Sequence, residues 1–155
     1  MIFQPILLPA KSTIYGSGAL AGTAIADSGF LIALLRRADD YHGWAEIQAA
    51  LHLRPWRTCE AALTEAFFVL GPAGTPALSA LLRRQAVEVS FELESNLLPV
   101  LALMQKYKDM PMSFADACLV RMTELRAESV ILTTDSDFAI YRRHGRQVVP
   151  HVRPT

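Results

Sequence analysis

Four acidic residues stand out because each lies in an apolar stretch that supplies no basic partner. Asp27 ends one apolar run and Asp135 follows another, while Glu65 and Asp116 lie in apolar segments with helical spacing. Carboxylates that converge without matching cations repel one another, and a bound divalent cation relieves that repulsion. Hard oxygen ligands select Mg²⁺ or Mn²⁺, which can hold a phosphate oxygen and activate a water.

Helix capping is the alternative interpretation for three of these acids. Asp27 and Asp135 each precede a predicted helix, where an N-cap carboxylate accepts backbone N–H bonds. Ser113 and Asp116 have the spacing of a capping box. Glu65 has no such explanation, because a carboxylate inside an apolar helix must be neutralised or meet a counter-charge. Capping alone therefore does not account for all four acids.

Strands and helices alternate along the chain, so the elements that position these acids are predicted to form βαβ units. The predicted strands cover residues 23–26, 55–58, 87–91, 129–133 and 147–149. The predicted helices cover residues 28–37, 40–51, 59–70, 76–85, 93–108, 113–126 and 136–143. This alternation predicts an α/β fold with a mostly parallel sheet covered on both faces. Functional residues in such sheets gather beyond the carboxyl ends of the strands, where Asp27 and Asp135 fall.

Composition limits the remaining possibilities. With 155 residues, 52% of them hydrophobic, the chain is long enough for one domain with a substantial core. Its formal net charge of zero neither favours nor excludes nucleic acid. Charges, Gly or Pro interrupt every apolar run before the ~18–20 residues of a membrane span. Cys59 and Cys118 lack metal-ligand spacing and are expected to be buried thiols of a cytoplasmic protein.

The domain is expected to cover residues 23–155. Residues 1–22 contain a glycine-rich run and are expected to be a flexible N-terminal lead-in, either native or left from cloning. This stretch lacks the charged start, long apolar region and cleavage site of a secretory signal.

The segments around the four acids resemble a known family when they are taken together. Residues 25–35, 58–65, 109–120 and 132–145 have the order and spacing of the PIN-domain ribonucleases, and within them of the VapC-type toxins of bacterial toxin–antitoxin pairs. The resemblance implies a three-layer α/β/α PIN-like fold with a mostly parallel central sheet. It also implies an endoribonuclease that hydrolyses phosphodiester bonds in RNA, forms homodimers and is neutralised by a small antitoxin protein.

The resemblance also implies residue roles. Asp27, Glu65, Asp116 and Asp135 take the places of the family's catalytic acids, and all but Glu65 would bind Mg²⁺ or Mn²⁺ directly or through water. Glu65 would complete the site or orient the attacking water. One departure is Ser113, where relatives often carry Asp.

Other polar residues near the acids are candidates for supporting roles. Ser28, Thr133 and Asp137 are placed to hydrogen-bond around the acids, with helix capping or strand-end roles as the alternative. The candidate RNA contacts are Arg142, Arg143 and Arg146. At the end of a predicted helix, Arg142 and Arg143 would equally complement the helix dipole.

Two competing functions each require a residue that this sequence lacks. A phosphatase of the haloacid dehalogenase type needs a second Asp two residues after Asp27, where Gly29 stands. A phospho-acceptor receiver domain needs a lysine after a late strand, and no lysine follows Lys108. Two alternatives stay open: a catalytically silent PIN-like module that only binds a partner protein, and an RNA-processing nuclease outside a toxin–antitoxin pair.

Overall fold

A five-stranded parallel sheet forms the centre of the computed structural model, which describes residues 22–155. The predicted lead-in over residues 1–22 therefore lies outside the described residues, apart from Gly22. The strands of the sheet are β1 (Thr23–Ala26), β2 (Trp56–Thr58), β3 (Val87–Val89), β4 (Ser129–Leu132) and β7 (His151–Val152). Their order is β3-β2-β1-β4-β7, and every neighbouring pair is parallel.

Helices cover both faces of this sheet. They are α1 (Ser28–Leu35), α2 (His42–Leu51), α3 (Glu60–Arg83), α4 (Leu93–Lys106) and α5 (Phe114–Leu125). Ala26 packs with the α1, α2 and α3 side, whereas Ile25 packs with the α4 and α5 side. This is the alternation that a strand between two helical layers requires. The predicted three-layer α/β/α arrangement with a mostly parallel sheet is confirmed.

Aromatic packing fixes helix α1, whose first turn follows Asp27. Phe30 and Trp56 are fully buried, and their rings meet edge to face with centroids 5.3 Å apart. Trp44 from α2 contacts the same Phe30 ring in a second edge-to-face pair. Such pairs each contribute about 0.5–1.5 kcal/mol beyond the burial of their surface. The end of β1 and the start of α1 are therefore held rigidly.

Helix α3 is interrupted at Gly71, as the sequence predicts. Gly71 has φ 63° and ψ −167°, a left-handed conformation that glycine adopts without a Cβ clash. The guanidinium of Arg36 donates to the Val69 carbonyl (2.7 Å) just before the break. By length and composition alone α3 is apolar enough to cross a bilayer. The break divides it into two segments that are each shorter than the ~20 residues of a span.

The C-terminal part of the chain differs from the prediction. Instead of a helix over residues 136–143, a short 3₁₀ helix (Ser136–Ala139) leads into an antiparallel hairpin of β5 (Arg142–Arg143) and β6 (Gln147–Val148). The left-handed backbone of His144 and Gly145 makes the turn between them. The strand predicted over residues 147–149 is present as β6, but it belongs to this hairpin, and the last strand of the chain and fifth of the sheet is β7.

Candidate active site

Asp27 lies at the carboxyl end of β1 and is held through both of its carboxylate oxygens. Its Oδ1 accepts from the Ser28 backbone N–H (2.7 Å), which makes Asp27 the N-cap of α1 as the capping interpretation predicts. Its Oδ2 accepts from the Thr133 hydroxyl (2.6 Å) at the end of β4. The Asp27 side chain is therefore fixed between two neighbouring strands, with only 5% of its surface exposed.

The Ser28 hydroxyl connects Asp27 with Glu65. It donates to Glu65 Oε2 (3.0 Å) and lies 3.4 Å from Asp27 Oδ1. The apolar neighbours of Glu65 suggested a buried carboxylate, but the Glu65 side chain is exposed on α3. Glu65 therefore needs no counter-charge, because its α3 face opens to solvent beside Ser28.

Asp116 lies in the first turn of α5 and closes the predicted capping box, which is confirmed. The Ser113 N–H donates to Asp116 Oδ2 (3.0 Å), and the Asp116 N–H donates to the Ser113 hydroxyl (3.0 Å). The Tyr141 hydroxyl donates to the same Oδ2 (3.3 Å). Within residues 22–155, Asp116 Oδ1 receives no hydrogen bond and stays available to a ligand.

Tyr141 is the site residue that sequence reasoning missed. It was included in the predicted helix over residues 136–143, yet it is fully buried against Tyr107 and Phe138. The available signal was chemical, since a buried tyrosine hydroxyl needs a polar partner. That partner is Asp116, which lies 25 positions earlier in the chain and is brought close only by tertiary packing.

Asp135 is connected to Asp27 through Thr133. The Thr133 hydroxyl accepts from the Asp135 N–H (2.9 Å) while it donates to Asp27. Asp135 Oδ1 in turn accepts from the Asp137 N–H (2.8 Å) and caps the 3₁₀ helix. The helix-capping role predicted for Asp135 is thus confirmed. The contact that Asp137 makes here comes from its backbone.

The charges of these acids influence one another. Burial raises the pKa of Asp27 to about 7, and the negative charges of Asp116 and Glu65 raise it further. The hydrogen bonds from Thr133 and Ser28 act in the opposite direction and lower this pKa. Burial also raises the pKa of Asp116, with a further contribution from Asp135. Asp27, Glu65, Asp116 and Asp135 therefore lie within one electrostatic environment. We call these four residues the carboxylate site.

The carboxylate site fits a hydrated Mg²⁺ or Mn²⁺ ion better than a fully chelated one. Within residues 22–155, no three His, Cys, Asp or Glu side chains converge closely enough to hold an ion alone. Mg²⁺ typically keeps several waters and uses only one or two carboxylates. All donors here are carboxylate oxygens, and Asp27 forms no ion pair with a basic side chain within residues 22–155. Direct contact with one or two acids and water-mediated contact with the others fits these observations.

Arg142 and Arg143, which the sequence suggested as RNA contacts, donate hydrogen bonds to backbone carbonyls of the protein. The Arg142 guanidinium donates to three carbonyls of the segment that precedes it, those of Ala139, Ile140 and Tyr141. The Arg143 guanidinium donates to the Thr123 and Ala127 carbonyls, at the opposite end of α5 from Asp116. The prediction that both arginines end a helix is wrong. Arg146 is exposed at the turn of the hairpin.

Comparisons with known proteins show the fold. No family model and no curated protein matches the sequence. Among solved structures the chain is similar to Mycobacterium tuberculosis VapC20, described as a Sarcin-Ricin loop cleaving toxin, with a TM-score of 0.68 and 20% identity. The match covers 76% of this chain and 94% of VapC20. The chain has the α/β/α fold of a VapC toxin, and the predicted PIN-like fold is confirmed.

Proposed function

We propose that this protein is a metal-dependent endoribonuclease and the toxin of a type II toxin–antitoxin pair. The observation that carries the proposal is the carboxylate site at the carboxyl edge of a VapC-like sheet. Four acids from four separate parts of the chain share one electrostatic environment there, as the pKa changes of Asp27 and Asp116 indicate. A structural role alone does not require such a costly concentration of like charge.

Asp27, Asp116 and Asp135 would hold Mg²⁺ or Mn²⁺, in part through water. The bound ion would offset the charge that builds up on the phosphate and acidify a water for attack on phosphorus. Thr133 keeps Asp27 and Asp135 in fixed relative positions through its hydroxyl. Glu65, exposed beside Ser28, would orient the attacking water or accept its proton.

The partners that we propose are inferred from the structural similarity to VapC20. RNA is the substrate, a small antitoxin protein neutralises the toxin, and the protein acts in the cytoplasm as a homodimer. Large exposed apolar side chains support an association surface, among them Phe68 at 85% and Leu98 at 76% exposure.

Cleavage of a defined RNA panel tests the proposal. The panel contains a sarcin–ricin loop hairpin, transfer RNAs and unstructured RNA, because VapC20 is described as cleaving that loop. Purified wild type and Asp116→Asn are incubated with Mn²⁺, Mg²⁺ or EDTA. Asp109→Asn serves as the control, since it makes the same chemical change at an exposed residue. Cleavage should require metal, persist in Asp109→Asn and disappear in Asp116→Asn.

The alternatives predict different results in the same assay. A silent interaction module would cleave no RNA and would gain no thermal stability from Mn²⁺. Cleavage that Asp116→Asn retains would show that another site or a contaminating nuclease is responsible. Cleavage restricted to precursor RNA would favour a processing nuclease outside a toxin–antitoxin pair.

A further inference from the structure

The sheet places one arginine at the same edge as the carboxylate site. The last paired row across β1, β4 and β7 consists of Ala26, Leu132 and Val152. The backbone bonds continue one step further, because the Asp27 N–H donates to the Leu132 carbonyl and the Thr133 N–H donates to the Val152 carbonyl. The next row is therefore Asp27, Thr133 and Arg153, which we call the edge row.

Alternation along β7 decides which side of the sheet Arg153 faces. Val152 packs with the core on the α1, α2 and α3 side. Since successive strand residues point to opposite faces, Arg153 is directed to the α5 side. The Asp27 carboxylate, held by the Thr133 hydroxyl, and Asp116 on α5 belong to that same side.

The distance between neighbouring β-strands brings Arg153 within reach of an RNA strand bound at the carboxylate site. Neighbouring strands lie ~4.8 Å apart, so the Cα of Arg153 lies ~5 Å from that of Thr133 and ~10 Å from that of Asp27. The Arg153 side chain is exposed and makes no ion pair or hydrogen bond with any residue in the range 22–155. Its guanidinium is therefore available to a ligand, whereas those of Arg142 and Arg143 already donate to backbone carbonyls through Nη1.

A basic residue is needed near the carboxylate site because both the site and the RNA backbone are negatively charged. A cluster of carboxylates repels the phosphates of an RNA backbone, and RNA binding depends on cationic side chains that offset this repulsion. Arginine is suited to this role because its planar fork binds phosphate through two hydrogen bonds. Arg153 is the basic residue of the edge row.

We propose that Arg153 binds a backbone phosphate of the RNA substrate and so positions the strand over the carboxylate site. This inference rests on the proposed ribonuclease function. In the role of RNA contact, Arg153 takes the place of Arg142 and Arg143, which bind backbone carbonyls. The sequence alone did not single out Arg153.

Equilibrium binding of a fluorescein-labelled, single-stranded RNA of mixed sequence tests the inference in the Asp116→Asn background, where cleavage does not interfere. Arg153→Gln should weaken RNA binding about tenfold, as expected for loss of one charged hydrogen-bonded contact. It should also reduce the slope of log affinity against log salt by about 0.7. The RNA affinity of Arg153→Lys should lie between those of Arg153→Gln and the Asp116→Asn background, because lysine keeps the charge but lacks the planar fork of arginine.

Arg126→Gln is the matched control, since Arg126 is also exposed but caps the far end of α5. It should bind RNA as the unmodified background does. Equal affinity for Arg153→Gln and the background would overturn the inference, and so would an equal loss in Arg126→Gln. If wild type cleaves RNA while Arg153→Gln keeps its KM, only the role of Arg153 fails. If wild type neither binds nor cleaves RNA, the proposed function fails with it.

Discussion

Replacing Asp27 by Asn should stabilise the metal-free protein at alkaline pH while abolishing its activity. The folded protein keeps Asp27 protonated up to about pH 7, whereas the unfolded chain releases this proton near its ordinary value of 3.8. The native state therefore binds more protons between these values, so the free energy of unfolding falls as the pH rises through them. Above pH 7 the folded protein holds a buried, charged carboxylate, and Asn carries no charge.

The size of the effect follows from the pKa. A rise from 3.8 to about 7 corresponds to about 4 kcal/mol. Part of this is offset because an amide replaces one oxygen that accepts from Thr133. We therefore expect Asp27→Asn to gain about 2–3 kcal/mol at pH 8, which raises Tm by about 5–10 °C in a chain of this size.

Thermal unfolding in EDTA at pH 8 and pH 5 measures this difference. The gain in Tm should be large at pH 8 and much smaller at pH 5, because only about a third of the fall in unfolding free energy between pH 3.8 and pH 7 has occurred at pH 5 and the altered contact with Thr133 offsets it. Asp109→Asn, an exposed acid, is the control and should not change Tm by a comparable amount. An Asp27→Asn variant that is no more stable than wild type at pH 8, or that shows the same gain at both pH values, would refute the reasoning.

Three further predictions concern single contacts. Thr133→Val should lower the free energy of unfolding in urea by about 2–4 kcal/mol, since it removes the 2.6 Å bond to Asp27 and leaves the Asp135 N–H unpaired. Thr123→Val, a buried control with one local bond, should cost at most about 1 kcal/mol, and equal losses would contradict the account. Tyr141→Phe should weaken Mn²⁺ binding by calorimetry about tenfold because Asp116 Oδ2 loses a donor, and an unchanged affinity would exclude this role. Burial lowers the pKa of His52, so the unfolded chain takes up a proton first and the contribution of His52 to stability falls as the pH drops through 6.5, opposite in sign to that of Asp27. In urea titrations, His52→Leu should therefore gain more free energy of unfolding than wild type between pH 7 and pH 5, and an identical pH dependence in both proteins would show that His52 does not contribute.

Local patterns were sufficient to predict most of the fold. The run before Asp27 and the run before Asp135 predicted two strands of a mostly parallel sheet, and both are present as β1 and β4, which pair in parallel. The gap between the helices predicted over residues 59–70 and 76–85 corresponds to the interruption of α3 at Gly71. These features depend on neighbours in the chain, which the sequence displays directly.

The C-terminal segment could not be predicted in this way. Residues 136–143 have helical spacing, but the segment is held as a 3₁₀ turn and a hairpin by distant partners. The Arg143 guanidinium binds carbonyls at the end of α5, and the His144 N–H donates to Glu124. Tertiary contacts of this kind override local propensity, and no pattern within the segment reveals them.

The candidate site shows the same division. The capping roles of Asp27 and Asp116 follow from spacing and are confirmed. The link from Thr133 to Asp27 spans 106 positions, and the bond from Tyr141 to Asp116 spans 25. Such pairs depend on the order of strands in the sheet, which spacing along one chain does not determine.

Mn²⁺ binding tests the central claim most directly, because it requires no knowledge of the RNA target. Calorimetric titration of the metal-free protein with Mn²⁺ should show binding by wild type and by the exposed control Asp109→Asn. Asp116→Asn should bind at least about tenfold more weakly, because its Oδ1 is the oxygen left open to a ligand. Absence of binding by wild type, or equal binding by Asp116→Asn, would contradict a metal-dependent carboxylate site.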